Sequence, residues 1–195
     1  MRELVFLLEE ESAKALLQSL LPRLIDPRVQ TRLIAFEGKQ DLEHQMVKRM
    51  RGYMNQHARF IIMRDQDSVP DCRDVKVKLI GLCAQAGREA VSLVRIACRE
   101  LEAFYLADLQ AVESALGLTG LIRYQNTARL RAADNVVNPS SELIRLTRGA
   151  YQKVGGSRAL GIYLDLANDR SPSFRNLILA IQRLEQELLA LPDAS

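Results

Sequence analysis

The stretch Arg59-Phe-Ile-Ile-Met-Arg-Asp-Gln-Asp-Ser68 sets the frame for the whole chain. Phe60 to Asp65 is β-prone and mostly apolar, ends on a carboxylate, and is followed by Asp67 and then by Pro70, which forbids a regular continuation. A strand apolar on both faces belongs in a parallel sheet covered by helices, where ligands bind beyond the carboxyl ends of the strands. Asp65 and Asp67 stand at that edge. Two carboxylates two residues apart can share a hard divalent cation such as Mg²⁺, which takes oxygen ligands and keeps several waters. The competing explanation is ordinary loop chemistry, since Asp and Ser hydrogen-bond their own backbone in turns.

On either side of this stretch the chain alternates between the two periodicities. Glu3 to Leu8 reads as a first strand and Glu10 to Leu21 as a helix with Ala13, Leu16, Leu17, Leu20 and Leu21 on one face. Thr31 to Phe36 is a second strand, and Asp41 to Asn55 a second helix striped by Leu42, Met46, Met50 and Met54. After the central strand come a helix over Cys72 to Ala86, a fourth strand over Val91 to Ala97, and one long helix from about Arg99 to Leu116. This order predicts an α/β doubly wound, mainly parallel sheet over residues 1–117.

Beyond Gly117 only helical segments are expected: Thr127 to Arg131, Ser140 to Leu146, Arg158 to Leu166 and Phe174 to Leu191. Asn138-Pro139, Gly155-Gly156 and Ser171-Pro172 would separate them, with Ser173 as N-cap of the last. Residues 118–195 therefore read as a helical appendage packed on the sheet domain.

At 195 residues, 48% of them hydrophobic, the chain can build one substantial core. It contains no apolar run of about 18 residues, and three glutamates close the short apolar start, so neither a membrane span nor a signal peptide is expected. Cys72, Cys83 and Cys98 are odd in number and fit neither a disulfide framework nor a close-spaced metal pair, which predicts a reducing cytoplasm. Charge is uneven along the chain: residues 1–119 carry 17 basic and 17 acidic groups, whereas 120–195 carry 10 and 7.

Further candidates stand at the other element ends. The first strand runs into Glu9, Glu10 and Glu11; Glu9 is the one placed to point into the crevice, and the other two suit a helix start, where acidic groups are favoured. Glu102 falls on an otherwise apolar helical face with Cys98, Tyr105, Leu106 and Leu109. It must be paired, with Arg99 one turn earlier as the simple partner, or bound to a cation. Gly38-Lys39 before a helix can offer backbone amides and a cation to a phosphate, though the pattern is not a P-loop. His44 and His57 lack ligand partners at metal spacing, and neither a nucleophile elbow nor a dinucleotide turn is present.

A glutamate after the first strand and an Asp-x-Asp after a later one, in an α/β sheet, resemble the TOPRIM fold of topoisomerases, primases, small nucleases and OLD-family nucleases. More closely, the chain is similar to an uncharacterised TOPRIM-like bacterial family often encoded beside an AAA-type ATPase. The stretches that carry this are Phe36-Glu-Gly-Lys39, Arg64-Asp-Gln-Asp-Ser68 with Cys72, Arg99-Glu-Leu-Glu-Ala-Phe-Tyr-Leu-Ala-Asp108 and Asn168-Asp-Arg-Ser-Pro-Ser-Phe174. TOPRIM proteins usually have glycine after the first glutamate; this chain has Glu10, which makes close approach of a phosphate harder.

The resemblance implies a nuclease hydrolysing phosphodiesters in DNA or RNA with Mg²⁺ or Mn²⁺. Glu9 would be general acid or base, Asp65 and Asp67 metal ligands, Glu102 an additional ligand or orienting group, and Lys39 a phosphate contact. The segment from Arg123 to Arg175 has nine basic residues against Asp134, Glu142, Asp165 and Asp169; within it Arg123, Arg129, Arg131 and Arg170 would guide a nucleic-acid backbone. An ATPase partner and a role as effector of an antiphage or toxin-like system follow from the resemblance alone. The alternatives are a non-catalytic module of the same fold that binds a protein partner, and a phosphotransferase or primase-like enzyme. Oligomeric state is open.

Overall fold

The computed structural model describes residues 1–192. Four strands, β1 (Glu3–Leu8), β2 (Gln30–Ala35), β3 (Arg59–Asp65) and β4 (Ser92–Ala97), form one sheet in the order β2-β1-β3-β4. All three pairings are parallel, with Leu8 beside both Ala35 and Met63, and Asp65 beside Ala97. This is the expected α/β architecture, and its cause is visible in the two central strands. Every residue of β1 is buried, because Leu4, Phe6 and Leu8 enter one core while Val5 and Leu7 enter the other. In β3, Ile61 and Met63 face the first core and Phe60 and Ile62 the second.

Helices fill both faces. α2 (Lys39–Arg51) and α3 (Cys72–Gln85) cover the second face through Leu42, Met46, Met50, Val75, Leu79 and Cys83. The first face is covered by α1 (Glu11–Leu20) and α8 (Pro172–Leu189). Around them sit α4 (Glu102–Leu106), α5 (Leu109–Leu116), α6 (Pro139–Leu146) and α7 (Lys153–Tyr163). Residues from before and after Gly117 share this core: Leu16 and Leu17 of α1 lie with Leu160, Leu164, Leu177 and Ile181. Among the described residues no helix is long and apolar enough to cross a membrane.

The connections fix where a ligand can bind. β1 leads through α1 to β2 on one side, whereas β3 leads through α3 to β4 on the other. The chain therefore changes direction between β1 and β3, and the carboxyl ends of these two neighbours frame the crevice such sheets use for binding.

Several elements differ from expectation. The long helix over 99–116 is broken: Asp108 leaves helical geometry and caps α5, accepting from the amide of Ala111 at 3.0 Å. Residues 127–131 form turns rather than a helix. Gly155 and Gly156, expected to break the chain, lie inside α7. A Cβ on Gly156 would meet the Tyr151 ring at 2.5 Å, so this glycine makes room for an aromatic side chain and opens no turn. Ser171, not Ser173, caps α8, its hydroxyl accepting from the Phe174 amide at 3.1 Å. Ser173 is held instead by Asp134, which accepts its amide at 2.8 Å.

Candidate active site at the carboxyl edge of the sheet

Glu9 follows β1 directly, and its amide continues the ladder to the Met63 carbonyl at 3.2 Å. Its carboxylate accepts the Asp65 amide at 3.0 Å, which joins the ends of the two strands at the switch point. Asp65 ends β3 on the same face as Ile61 and Met63, and so looks towards α4, α1 and α7. Arg64, one residue earlier, looks the other way, towards α2 and α3.

The loop after β3 is held against the loop after β4. The amides of Gln66 and Asp67 donate to Ala97 and Arg99 carbonyls at 2.9 and 2.8 Å, and the Gln66 side chain accepts the Arg99 amide at 3.3 Å. Asp67 and Arg99 both adopt left-handed backbone, with φ of 56° and 62°. Such conformations cost non-glycine residues about 1–3 kcal/mol and persist where the surroundings dictate them. The second half of the loop pair delivers Leu101 and Glu102 beside Asp65, where the Leu101 amide partly offsets the other influences on the carboxyl.

Burial pushes the Asp65 carboxyl well above the usual range, and the charges of Glu9, Glu10 and Glu102 push in the same direction. Glu9 is also raised, first by burial, with the Asp65 amide opposing and Asp67 adding repulsion. Glu102 is buried at 1% exposure and raised for the same primary reason. Its partner is not Arg99, with which it makes no ion pair; the hydroxyl of buried Tyr151 donates to it at 3.0 Å. The four carboxylates Glu9, Glu10, Asp65 and Glu102 thus crowd one place, with Lys153 as the cation against Glu10 at 2.7 Å. Burial lowers the Lys153 ammonium, but the hydrogen bond and charge of Glu10 outweigh it and leave the group raised.

Asp67 stands apart from this group. Its Oδ2 meets the Lys39 ammonium at 2.8 Å and lies 3.8 Å from the Arg64 guanidinium. Lys39 is the first residue of α2, positioned by Gly38, whose φ of 92° permits its amide to reach the Glu9 carbonyl at 2.9 Å. Glu10, where the resemblance leads one to expect glycine, has φ −151° and ψ 165°, an extended backbone open to any residue.

Among the described residues no three acidic, histidine or cysteine side chains already converge as metal ligands. The donor set nonetheless fits a hard cation. It is all oxygen, it carries more negative charge than its protein partners neutralise, and Mg²⁺ needs only one or two carboxylates plus water. Glu9 and Asp65 are the pair joined directly; Glu102 has one oxygen engaged by Tyr151, and Asp67 one oxygen engaged by Lys39.

The basic residues divide. Arg129 and Arg131 line one cavity with Arg145, and Arg145 also lines the neighbouring one with Arg123 and Arg148. Arg170 is elsewhere, in a polar cavity with Asp108, Asp165 and Asp169. Lys153 and Tyr151 carry no signal in the sequence: they lie in a helical region without a motif and reach the edge only through packing. Arg64 was readable: it is the one charge inside an apolar run.

The four-stranded parallel sheet with helices on both faces is an α/β fold, consistent with the TOPRIM-like arrangement expected. No family model matches the chain, and no curated protein matches it. Among solved structures, the C-terminal region of the Burkholderia pseudomallei OLD protein superposes with a TM-score of 0.50 at 16% identity, covering 95% of this chain and 98% of that one. At that identity the likeness establishes the shared fold.

Proposed function

We propose that the chain is a metal-dependent nuclease hydrolysing phosphodiester bonds in DNA or RNA at the crevice between β1 and β3. The observation that carries this reading is the contact at the switch point, where the Glu9 carboxylate at the end of β1 accepts the Asp65 amide at the end of β3 at 3.0 Å and so sets two carboxyl groups side by side. Burial raises both carboxyls, as is common at functional sites, and a pair of carboxylates with water is a donor set suited to Mg²⁺.

Glu9 and Asp65 would hold Mg²⁺ or Mn²⁺, which supplies stabilisation of the negative charge on the scissile phosphate. Lys39 offers an exposed ammonium to the phosphate from the start of α2. Glu9 acts as the base: a water oxygen bonds to phosphorus as the bond to the leaving sugar oxygen breaks, Glu9 takes the proton from that water, and a solvent water returns one to the sugar oxygen. Glu102 orients the cluster through Tyr151. Arg123, Arg129 and Arg131 contact the nucleic-acid backbone. An AAA-type ATPase is the partner suggested by the family resemblance, with an antiphage effector role to match.

The test is cleavage of supercoiled plasmid and single-stranded RNA with Mg²⁺ or Mn²⁺, by the chain and by Asp65→Asn. Metal-dependent cleavage lost in a folded Asp65→Asn supports the reading. Cleavage unchanged in that variant refutes it, and failure to cleave either substrate with or without an ATPase partner favours the interaction module.

A further inference from the structure

The two sides of the acidic edge are neutralised differently. On the side of α2 and α3 lie Glu9, Asp67 and Glu43, and the chain brings cations to all of them. Arg64 donates from Nη1 to Glu43 Oε1 at 2.6 Å, its Nη2 is 3.8 Å from Asp67 Oδ2, and its Nε is 3.7 Å from Glu9 Oε2. Lys39 adds a contact to Asp67 at 2.8 Å and Lys78 one to Glu43 at 2.6 Å. On the opposite side, with Asp65, Glu10 and Glu102, the one cation in direct contact among the described residues is Lys153, through Glu10.

Arg64 is only 5% exposed and its Nε makes no hydrogen bond. A guanidinium buried with an unsatisfied donor is costly and calls for a reason. The neighbouring inward positions of β3 on that face, Phe60 and Ile62, are apolar, so packing alone would have been served by another apolar side chain. What the guanidinium does is occupy the space between Glu9 and Asp67, within 4 Å of both. An ion bridging those two carboxylates would have to lie in that space, and two cations there repel.

We propose that Arg64 takes the place of a second divalent cation, so that the edge binds a single Mg²⁺ or Mn²⁺, on the Asp65 side of Glu9. Arg64 is then a positioning residue: it holds the Glu9 and Asp67 carboxylates in place without a metal, while Asp65 and the remaining oxygen of Glu9 are left for the ion. The inference rests on the metal-dependent reading given above.

Mn²⁺ binding tests it directly, by calorimetric titration and by electron paramagnetic resonance, on the full chain and on Arg64→Lys, Arg64→Gln and Asp65→Asn, with thermal unfolding as the fold control. One ion per chain is expected in the parent and in Arg64→Lys, none in Asp65→Asn, and a second ion in Arg64→Gln with the resonance of a spin-coupled pair. If Arg64→Gln does not fold, Arg64→Gln/Glu43→Gln keeps a hydrogen-bonding pair at that place and is expected to show the same second ion. Two ions in the parent overturn the inference but leave the metal-dependent reading standing, as does one ion in a folded Arg64→Gln and its double variant. No ion in the parent overturns that reading and the inference with it.

Discussion

The amide of Asp65 donates to the carboxylate of Glu9 across 3.0 Å, so the ends of β1 and β3 are joined through a side chain one residue beyond the regular ladder. The same contact brings two carboxyl groups together at a half-buried place, and both are raised. A group whose carboxyl is raised in the fold holds its proton more tightly there than in the unfolded chain. Its contribution is therefore neutral at low pH and destabilising as pH climbs from the unfolded value of 3.8 for Asp65, or 4.5 for Glu9, through the folded one. Without divalent cations the chain is expected to melt at progressively lower temperature as the pH is raised from 5 to 8, and Asp65→Asn is expected to flatten that dependence. Each kcal/mol relieved should raise Tm by about 2–4 °C. A steeper dependence in Asp65→Asn than in the parent would contradict the assignment.

Tyr151 is the anchor of Glu102. Its hydroxyl donates to Oε1 at 3.0 Å and lies 3.2 Å from the buried Ser157 hydroxyl. Tyr151→Phe removes the donor and leaves a buried carboxylate oxygen without it, at a cost of about 1–3 kcal/mol. Urea unfolding should show the loss, and cleavage should fall with it if Glu102 orients the cluster. Gly156→Ala is expected to act in the same direction, because its methyl would enter the Tyr151 ring.

Gly161 is where α7 touches α1. A Cβ there would collide with the Leu16 carbonyl oxygen, and the Gly161 carbonyl accepts from Arg23 Nη1 at 3.0 Å. The contact is backbone against backbone, so neither side can yield by a rotamer change. Gly161→Ala should lower stability by about 1–3 kcal/mol, the usual cost of overpacking. Gly155→Ala, with nothing within 4 Å of its Cβ position, should leave the chain as stable or raise it. Thermal unfolding of the two variants separates them; equal effects would mean that helix propensity, not packing, decides at both positions.

The parts of the fold legible in the sequence are those where one residue's environment follows from its neighbours along the chain. Phe60 to Met63 had to be buried on both sides, and that alone implied a covered parallel sheet ending at Asp65. Glu9 was readable for the same reason. The break at Asp108 was hidden because Glu102 to Leu116 keeps an apolar helical rhythm on both sides of it; the cap and the bend are decided by tertiary contacts, including the Asp165 amide donating to Asp108 at 2.8 Å. Gly155-Gly156 misled because glycine has two uses, to turn the chain or to admit a neighbour, and only the position of Tyr151 distinguishes them. Lys153 reaches Glu10 from 143 residues away. No local pattern records a pairing of that kind.

The arginines offered for nucleic-acid contact are not equivalent, and the difference gives a quantitative expectation. Glu142 is buried at 3% exposure and holds Arg129 at 2.5 Å and Arg145 at 2.6 Å. A phosphate approaching Arg129 must compete with a fixed carboxylate, so little counterion release remains to be gained there. Arg123 lies over the Tyr124 ring at 4.9 Å, which leaves its guanidinium charge unopposed, and Arg131 is exposed beside the same basic cavities. In fluorescence anisotropy with a labelled oligonucleotide, Arg123→Ala and Arg131→Ala should each weaken binding and reduce the slope of log K against log salt. The reduction per lost phosphate contact is about 0.9 on duplex and about 0.7 on single strands. Arg129→Ala should reduce that slope less than either. Arg170→Ala, among Asp108, Asp165 and Asp169, should leave it unchanged, and an equal loss at Arg129 and Arg170 would show that the nucleic acid does not follow this surface.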